Sequence, residues 1–236
     1  MRDLASLRAT LDHDLYNPRW CRLIGLWIPH DPTITICTDA ATGGLGGWST
    51  ELPHMWRLSI SDVQSCCFPI FGLLNTHNYF ESFAEHRPIH INLLEFVAIF
   101  LDLWIVIRRL AHLHHTLPSA TPHGGHRILA LADNTSAVSW LQYATRTKRP
   151  VIRRLARFLT AFLSSPFPAQ LVRVQGRHLA GKLNVEADVL SRFELAPSWE
   201  SAMQQHSVLA PLPTCQLPRA ILSLLAYLVE HEPTEA

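Results

Sequence analysis

The sequence predicts an α/β domain, and three observations lead there. Short β-branched or apolar runs at Thr33–Ile36, Ile128–Ala132 and Leu171–Val174 have strand length and strand composition. Asn92–His112 and Val151–Leu163 carry the helical apolar period instead. The two kinds alternate along the chain as strand, strand, helix, strand, helix, helix, strand, helix, with room for a third strand before the first helix. Such an order places helices against a sheet.

Residues 1–32 form a lead-in. Leu4, Leu7 and Leu11 share one helical face, Trp20–Ile28 is aromatic and apolar, and His30-Asp31-Pro32 breaks the chain before the first strand. That strand, from Thr33, stops at Asp39, an acid that is either an ordinary turn former or chemistry placed on a rigid scaffold. Gly43, Gly44, Gly46 and Gly47 then supply four glycines in five residues. This cluster allows positive φ and a tight reversal, so the second strand is expected near Trp48, paired antiparallel. Trp56–Ile60 forms a third strand or the end of the second. Residues 61–88 mix Cys66, Cys67, Pro69 and Pro88 with several aromatics and no sustained period, which predicts an irregular insertion.

Asn92 opens the strongest helix, with Ile91, Leu94, Ala98, Leu101 and Ile105 as its buried stripe. Glu95, three residues after Asn92 and in the expected first turn, fits a capping box. The loop from His112 to Arg127 holds five histidines, a composition also compatible with a metal site. Ile128–Ala132 reads as a buried strand ending at Asp133, which is an N-cap for the helix Ser136–Tyr143 or a functional acid. Ile152, Leu155, Leu159 and Phe162 face inward from the next helix. Arg177–Gly181 is expected as a loop, and Asn184–Phe193 as the last helix of the domain, with Asn184 and Asp188 one turn apart on one face. Residues 194–236 are a proline-punctuated tail with one helix candidate, Ala220–Val229.

The composition, 48% hydrophobic and 17% charged, supplies a sizeable core and argues against disorder. From Arg146 to Lys182 there are nine lysines and arginines and no acid, which suits either a phosphate-tracking surface or a solvated helix face. Five cysteines without a Cys-x-x-Cys pair point to free thiols in a reducing, intracellular compartment and away from structural zinc. The apolar run Ile91–Ile107 is interrupted by Glu95 and Asp102, so no membrane span is expected.

Four acids hold distinctive places: Asp39 and Asp133 at strand ends, Glu95 at a helix start, and Asp188 on the last helix. If the two strands are neighbours, their carboxylates emerge at one sheet edge, where Glu95 closes over them. Two carboxylates about 4 Å apart repel by roughly 4 kcal/mol at an effective dielectric near 20. Such a cluster therefore calls for bound cations, and oxygen ligands select Mg²⁺ or Mn²⁺ over zinc. Two such ions, roughly 3.5–4 Å apart, suit in-line attack of water on a phosphodiester.

The segment Gly181-Lys182-Leu183-Asn184-Val185-Glu186-Ala187-Asp188-Val189-Leu190-Ser191-Arg192 resembles the closing motif of retroelement ribonuclease H domains. Thr38-Asp39-Ala40 with Gly44 and Gly46 resembles their opening motif, Ile91–Glu95 their helix motif, and Ala132-Asp133-Asn134-Thr135 their third. The combination, over about residues 33–193, is most similar to DIRS-like retrotransposons, with gypsy-type elements next. It departs from them at Ala41, where Ser is usual, at Leu45, where an aromatic is common, in the long stretch between Trp48 and Glu95, and in lacking a glycine pair after Asp133.

The resemblance implies a ribonuclease H-like, five-stranded mixed β-sheet flanked by helices, with the Asp39 strand central and the Asp133 strand beside it. It implies a magnesium-dependent endonuclease that hydrolyses the RNA strand of RNA–DNA hybrids, using two Mg²⁺ ions, with Mn²⁺ as a substitute. Metal-ligand roles pass to Asp39, Glu95, Asp133 and Asp188, and help with proton transfer to His178. Substrate contacts fall to Gly44, Asn134, Thr135, Arg153, Arg154, Arg177 and Asn184. Residues 1–32 then resemble a connection following a reverse transcriptase polymerase domain, which would be a partner. A non-catalytic nucleic-acid-binding relic and an integrase-like nuclease of the same fold are the alternatives.

Overall fold

The computed structural model describes residues 31–41, 43–59, 91–117, 125–143, 150–165, 171–192 and 206–223. The expected lead-in helix, the insertion at 61–88 and most of the 220–229 helix candidate lie outside these residues. Among the described residues no helix is long and apolar enough to cross a membrane.

Five strands form one mixed sheet: β1 (Ile34–Ala40), β2 (Gly44–Ser49), β3 (His54–Ser59), β4 (His126–Ala132) and β5 (Val172–His178). Their order is β3-β2-β1-β4-β5. The first three pair antiparallel through short connections, whereas β4 and β5 run parallel to β1. Parallel pairing needs crossovers, and helices supply them: α1 (Ile91–Thr116) between β3 and β4, then α2 (Thr135–Gln142) and α3 (Pro150–Leu163) between β4 and β5. A short 3₁₀ turn (Gly181–Leu183) leads into α4 (Val185–Ser191).

Strand side chains alternate between faces, and the two faces are covered by different helices. Gly47 looks onto Asp102 of α1, whereas its neighbour Gly46 looks onto Leu190 of α4. Gly176 faces Val138 and Leu141 of α2 on the α1 side. There Phe96 meets Trp140 edge-on at 6.0 Å, and Phe100 meets Phe158 of α3 at 5.8 Å. Because the sheet and its sister helices enclose it, α1 is buried around most of its circumference rather than along one stripe. Ile91, expected in that stripe, is exposed at its start.

Three expectations are corrected. The second strand begins at Gly44, not near Trp48, and among the described glycines only Gly125 has positive φ. The glycines serve close approach instead: a Cβ on Gly46 would lie 2.7 Å from the Leu190 carbonyl carbon, and one on Gly47 2.7 Å from Trp56 Nε1. α1 runs one turn past His112, so three of the loop histidines are helical, while β3 is the separate third strand that was one of the two expected forms. Finally, β5 continues through Arg177 and His178, which were expected in a loop.

Beneath Gly47 lies a fully buried pair. His54 Nε2 is 2.6 Å from Asp102 Oδ1, and His54 Nδ1 is 2.6 Å from Leu52 O. A carbonyl only accepts, so Nδ1 carries a proton, and a second proton sits between Nε2 and the carboxylate. Burial opposes the imidazolium, but the charge and hydrogen bond of Asp102 outweigh it and raise the pKa of His54. The pair ties α1 to the start of β3 with no net charge.

Within the expected tail, the described residues 206–223 pack against the sheet. Met55 N–H donates to Pro213 O (3.0 Å) and Cys215 N–H to Met55 O (2.7 Å), so residues 213–215 pair along the outer edge of β3. Leu209 and Leu212 pack with Met55, Leu190 and Trp48 on the α4 face, and Ile221 and Leu222 join the main core.

Candidate metal centre

The centre forms where β1 and β4 end side by side. Parallel pairing sets Cys37 against Leu131, so Asp39 and Asp133 both emerge from the C-terminal edge of the sheet, a common place for function in parallel sheets. α1 starts over this edge. Asn134, which caps α2 by accepting from Ala137 N–H (3.0 Å), also donates through Nδ2 to Asn92 Oδ1 (2.9 Å). That bond fastens the start of α1 to the residue after Asp133. One turn further, Glu95 Oε1 accepts from Ala40 N–H at 3.3 Å. Glu95 therefore sits in the second turn and reaches across to β1, instead of closing a capping box with Asn92.

One carboxylate oxygen each from Asp39, Glu95 and Asp133 lies within 4.8 Å of the others. Asp39 is 5% exposed and Glu95 2%, which decides their protonation. Burial, together with the charges of Asp133 and Asp188, pushes Asp39 up to about 6, although the Ser191 hydroxyl and Arg192 pull the other way. Burial and the charges of Asp39 and Asp133 push Glu95 up to about 9. Glu95 Oε2 is buried and accepts no hydrogen bond. A proton there gives it a donor that Asp133 can accept, and a cation would satisfy it as well. Two carboxyls whose ionisation burial and mutual charge oppose, and a buried oxygen without a hydrogen bond, are what an oxygen-ligated divalent cation fits.

Asp188 arrives from the other face. Gly46 lets α4 lie directly on β2, opposite Asp39 in the ladder. Asn184, fully enclosed, donates to Thr38 O (2.9 Å), and Ser191 Oγ donates to Asp39 Oδ2 (2.5 Å). Asp188 is near enough to raise the pKa of Asp39 but stands outside the three-oxygen group, its Oδ1 accepting from Arg192 Nε at 2.6 Å. Its carboxylate is more exposed than those of Asp39 and Glu95, so it forms the open side of the centre.

Of the expected substrate contacts, Thr135 and Arg177 are exposed, Arg177 on β5 two positions before Leu179. His178 is exposed and pairs with Ala132, next to Asp133. Asn184 and Gly44 are buried, Asn184 as the pin between α4 and β1 and Gly44 in the hairpin with Ala41. Arg153 is exposed and Arg154 half-buried on α3, in the helical layer and not on the sheet edge with the acids. The histidines of the 112–127 region do not join any group of three or more ligands among the described residues.

Sequence reasoning passed over Gly181, Ser191 and Asn92. A Cβ on Gly181 would stand 2.8 Å from Asp133 Oδ2, so a side chain there would push the Asp133 carboxylate aside. Gly181 and Ser191 were inside the quoted closing motif. What hid their roles is range, since Ser191 acts on a residue 152 positions away.

No protein-family model, no curated protein and no solved structure matches this chain.

Proposed function

We propose that the chain is a divalent-metal-dependent nuclease with a ribonuclease H-like fold that hydrolyses the RNA strand of RNA–DNA hybrids. One observation carries the reading: Asp39, Glu95 and Asp133, from three separate motifs, bring carboxylate oxygens within 4.8 Å of one another at one sheet edge. The strand order, with β1 central and β4 beside it, is the arrangement the motif resemblance implies. The preference for hybrid rests on that resemblance.

Asp39, Glu95 and Asp133 would hold Mg²⁺, with Asp188 on the open side. Bound there, the metal supplies Lewis-acid activation of water and charge neutralisation at a phosphodiester. The chain does the positioning. Ser191 and Ala40 N–H fix the Asp39 and Glu95 carboxylates, Asn134 and Asn92 hold the two edges together, and the buried floor excludes water from below. Hydrolysis forms one P–O bond from water and breaks another, so a proton must leave the water and one must reach the departing oxygen. The motif resemblance gives proton transfer to His178, which is exposed at the end of β5 and pairs with Ala132, the residue before Asp133.

The test is the full chain with end-labelled hybrid, duplex DNA and duplex RNA, with and without Mg²⁺ or Mn²⁺. Cleavage of the RNA in hybrid only, dependent on the cation, is expected. Asp39→Asn should abolish it and leave hybrid binding intact. Wild-type cleavage by Asp39→Asn removes the site assignment. A folded wild type that cuts none of the three substrates leaves a binding relic, and preference for duplex DNA an integrase-like enzyme.

A further inference from the structure

Among the described residues, α4 and residues 206–212 lie over the β2 and β3 half of the α4 face of the sheet, and the β4 and β5 half of that face is basic and partly exposed. Ile128, Ala130 and Ala132 of β4 point into the helical layer, which turns Arg127, Leu129 and Leu131 to the opposite face. The parallel register aligns Arg127 with Arg173, Leu129 with Gln175, and Leu131 with Arg177. Gln175 and Arg177 are exposed, and Arg127 and Arg173 half-exposed. Arg127 Nε donates to Asp31 O (2.7 Å) and Arg173 Nη1 to Val172 O (3.1 Å), which holds both guanidinium groups against the backbone at the start of the stripe. The stripe ends at β1, where Cys37 stands in the row of Leu131 and Arg177.

This stripe leads to the acids. Asp39 projects from the same face, since its ladder partner Gly46 looks onto Leu190. Arg177 stands two strands over and two residues back, about 10 Å across and about 7 Å down by ordinary sheet spacings. Arg173 is about 13 Å further along β5. Planar guanidinium forks at this spacing suit phosphates a few nucleotides from a cleavage point.

We infer that Arg127, Arg173 and Arg177 form a phosphate track on the partly exposed face of β4 and β5, guiding the sugar–phosphate backbone of the nucleic acid whose cleaved bond lies at Asp39. The track rests on the nuclease reading for its ligand, and its chemistry requires only a polyanionic strand. It lies on the face opposite the basic residues of α3, so the two basic surfaces are separable by mutation.

The experiment measures binding of the full chain to a fluorescent RNA–DNA hybrid in EDTA, across a salt series, with no cleavage possible. Arg173→Ala combined with Arg177→Ala should weaken binding and reduce the magnitude of the log affinity against log salt slope by about 1.4–1.8, at about 0.7–0.9 per lost phosphate contact. The Lys pair at the same positions should keep most of the slope. The exposed single variant Arg177→Glu, with wild-type melting, guards against misfolding of the double variant. Unchanged affinity and slope in both Arg173→Ala/Arg177→Ala and Arg177→Glu overturn the track even where the wild type cleaves hybrid. A reduced slope with no Mg²⁺-dependent cleavage by the wild type keeps the track and removes the nuclease reading. A chain that binds no hybrid at low salt overturns both.

Discussion

Glu95 and Asp39 make the centre a proton store as well as a cation site. In an unfolded chain both carboxyls ionise near pH 4, but in the fold burial and mutual repulsion move them to about 9 and about 6. Between those values and pH 4 the folded, metal-free protein holds protons that the unfolded chain has released. Its stability therefore falls as pH rises, first through about pH 6 and again toward about pH 9. A divalent cation competes with the same protons, so its stabilisation grows over that window. The expected result is a melting temperature in EDTA that declines from about pH 5 to about pH 9, with a Mg²⁺-induced rise that is largest at the alkaline end. Glu95→Gln should remove most of the alkaline decline. A decline equal in Glu95→Gln and wild type places the titrating group elsewhere. The acids themselves were legible in the sequence, because strand ends and motif spacing mark them. Their protonation was not, since it depends on which carboxylates face each other.

At the level of elements, the join between α4 and the hairpin governs whether Asp188 and Ser191 reach β1. Gly46 is the point of contact: a side chain there meets Leu190 backbone, which cannot swing aside as a flexible tip would. Overpacking of this kind typically costs about 1–3 kcal/mol. Gly46→Val should lose about that much in urea denaturation and lift the Ser191 hydroxyl from Asp39. Without that hydrogen bond Asp39 titrates higher still, so Mg²⁺ binding near neutral pH should weaken. Denaturation curves and metal titration on the same variant check both, and a Gly46→Val protein with wild-type stability removes the contact. The hairpin expectation failed at these residues for the same reason. Glycine-rich sequence signals a turn locally, but here the helix that demands Gly46 lies far along the chain, and the α1 carboxylate that demands Gly47 lies beyond residues 61–88. Long helices and the parallel strands were readable because their period is local. The reach of β5 through Arg177 and His178 was not, because exposed polar side chains on a sheet look like loop sequence.

For the molecule as a whole, the segment at 206–223 closes what the sheet leaves open. β3 is the outer strand, and an unpaired edge invites association with other chains. Residues 213–215 occupy that edge through two backbone hydrogen bonds to Met55. The same segment crosses from one face to the other, burying Leu209 and Leu212 against Met55 and Leu190, and Ile221 and Leu222 in the main core. Each fully buried aliphatic side chain is worth about 1.5–3 kcal/mol, so these four approach the stability of a typical domain, about 5–15 kcal/mol. Proline punctuation made this stretch look like a tail because its contacts are edge pairing and scattered leucines, neither of which leaves a period in the sequence. A chain ending at Arg192 is therefore expected to aggregate or to lose cooperative melting, although every candidate metal ligand is still present. Leu209→Ala with Leu212→Ala in the full chain should melt lower but cooperatively, since the edge pairing at Met55 survives. Size-exclusion chromatography and calorimetry compare the two. A monomeric, cooperatively melting chain ending at Arg192 would show that α4 and the sheet hold together without the segment, and that the β3 edge is guarded by something else.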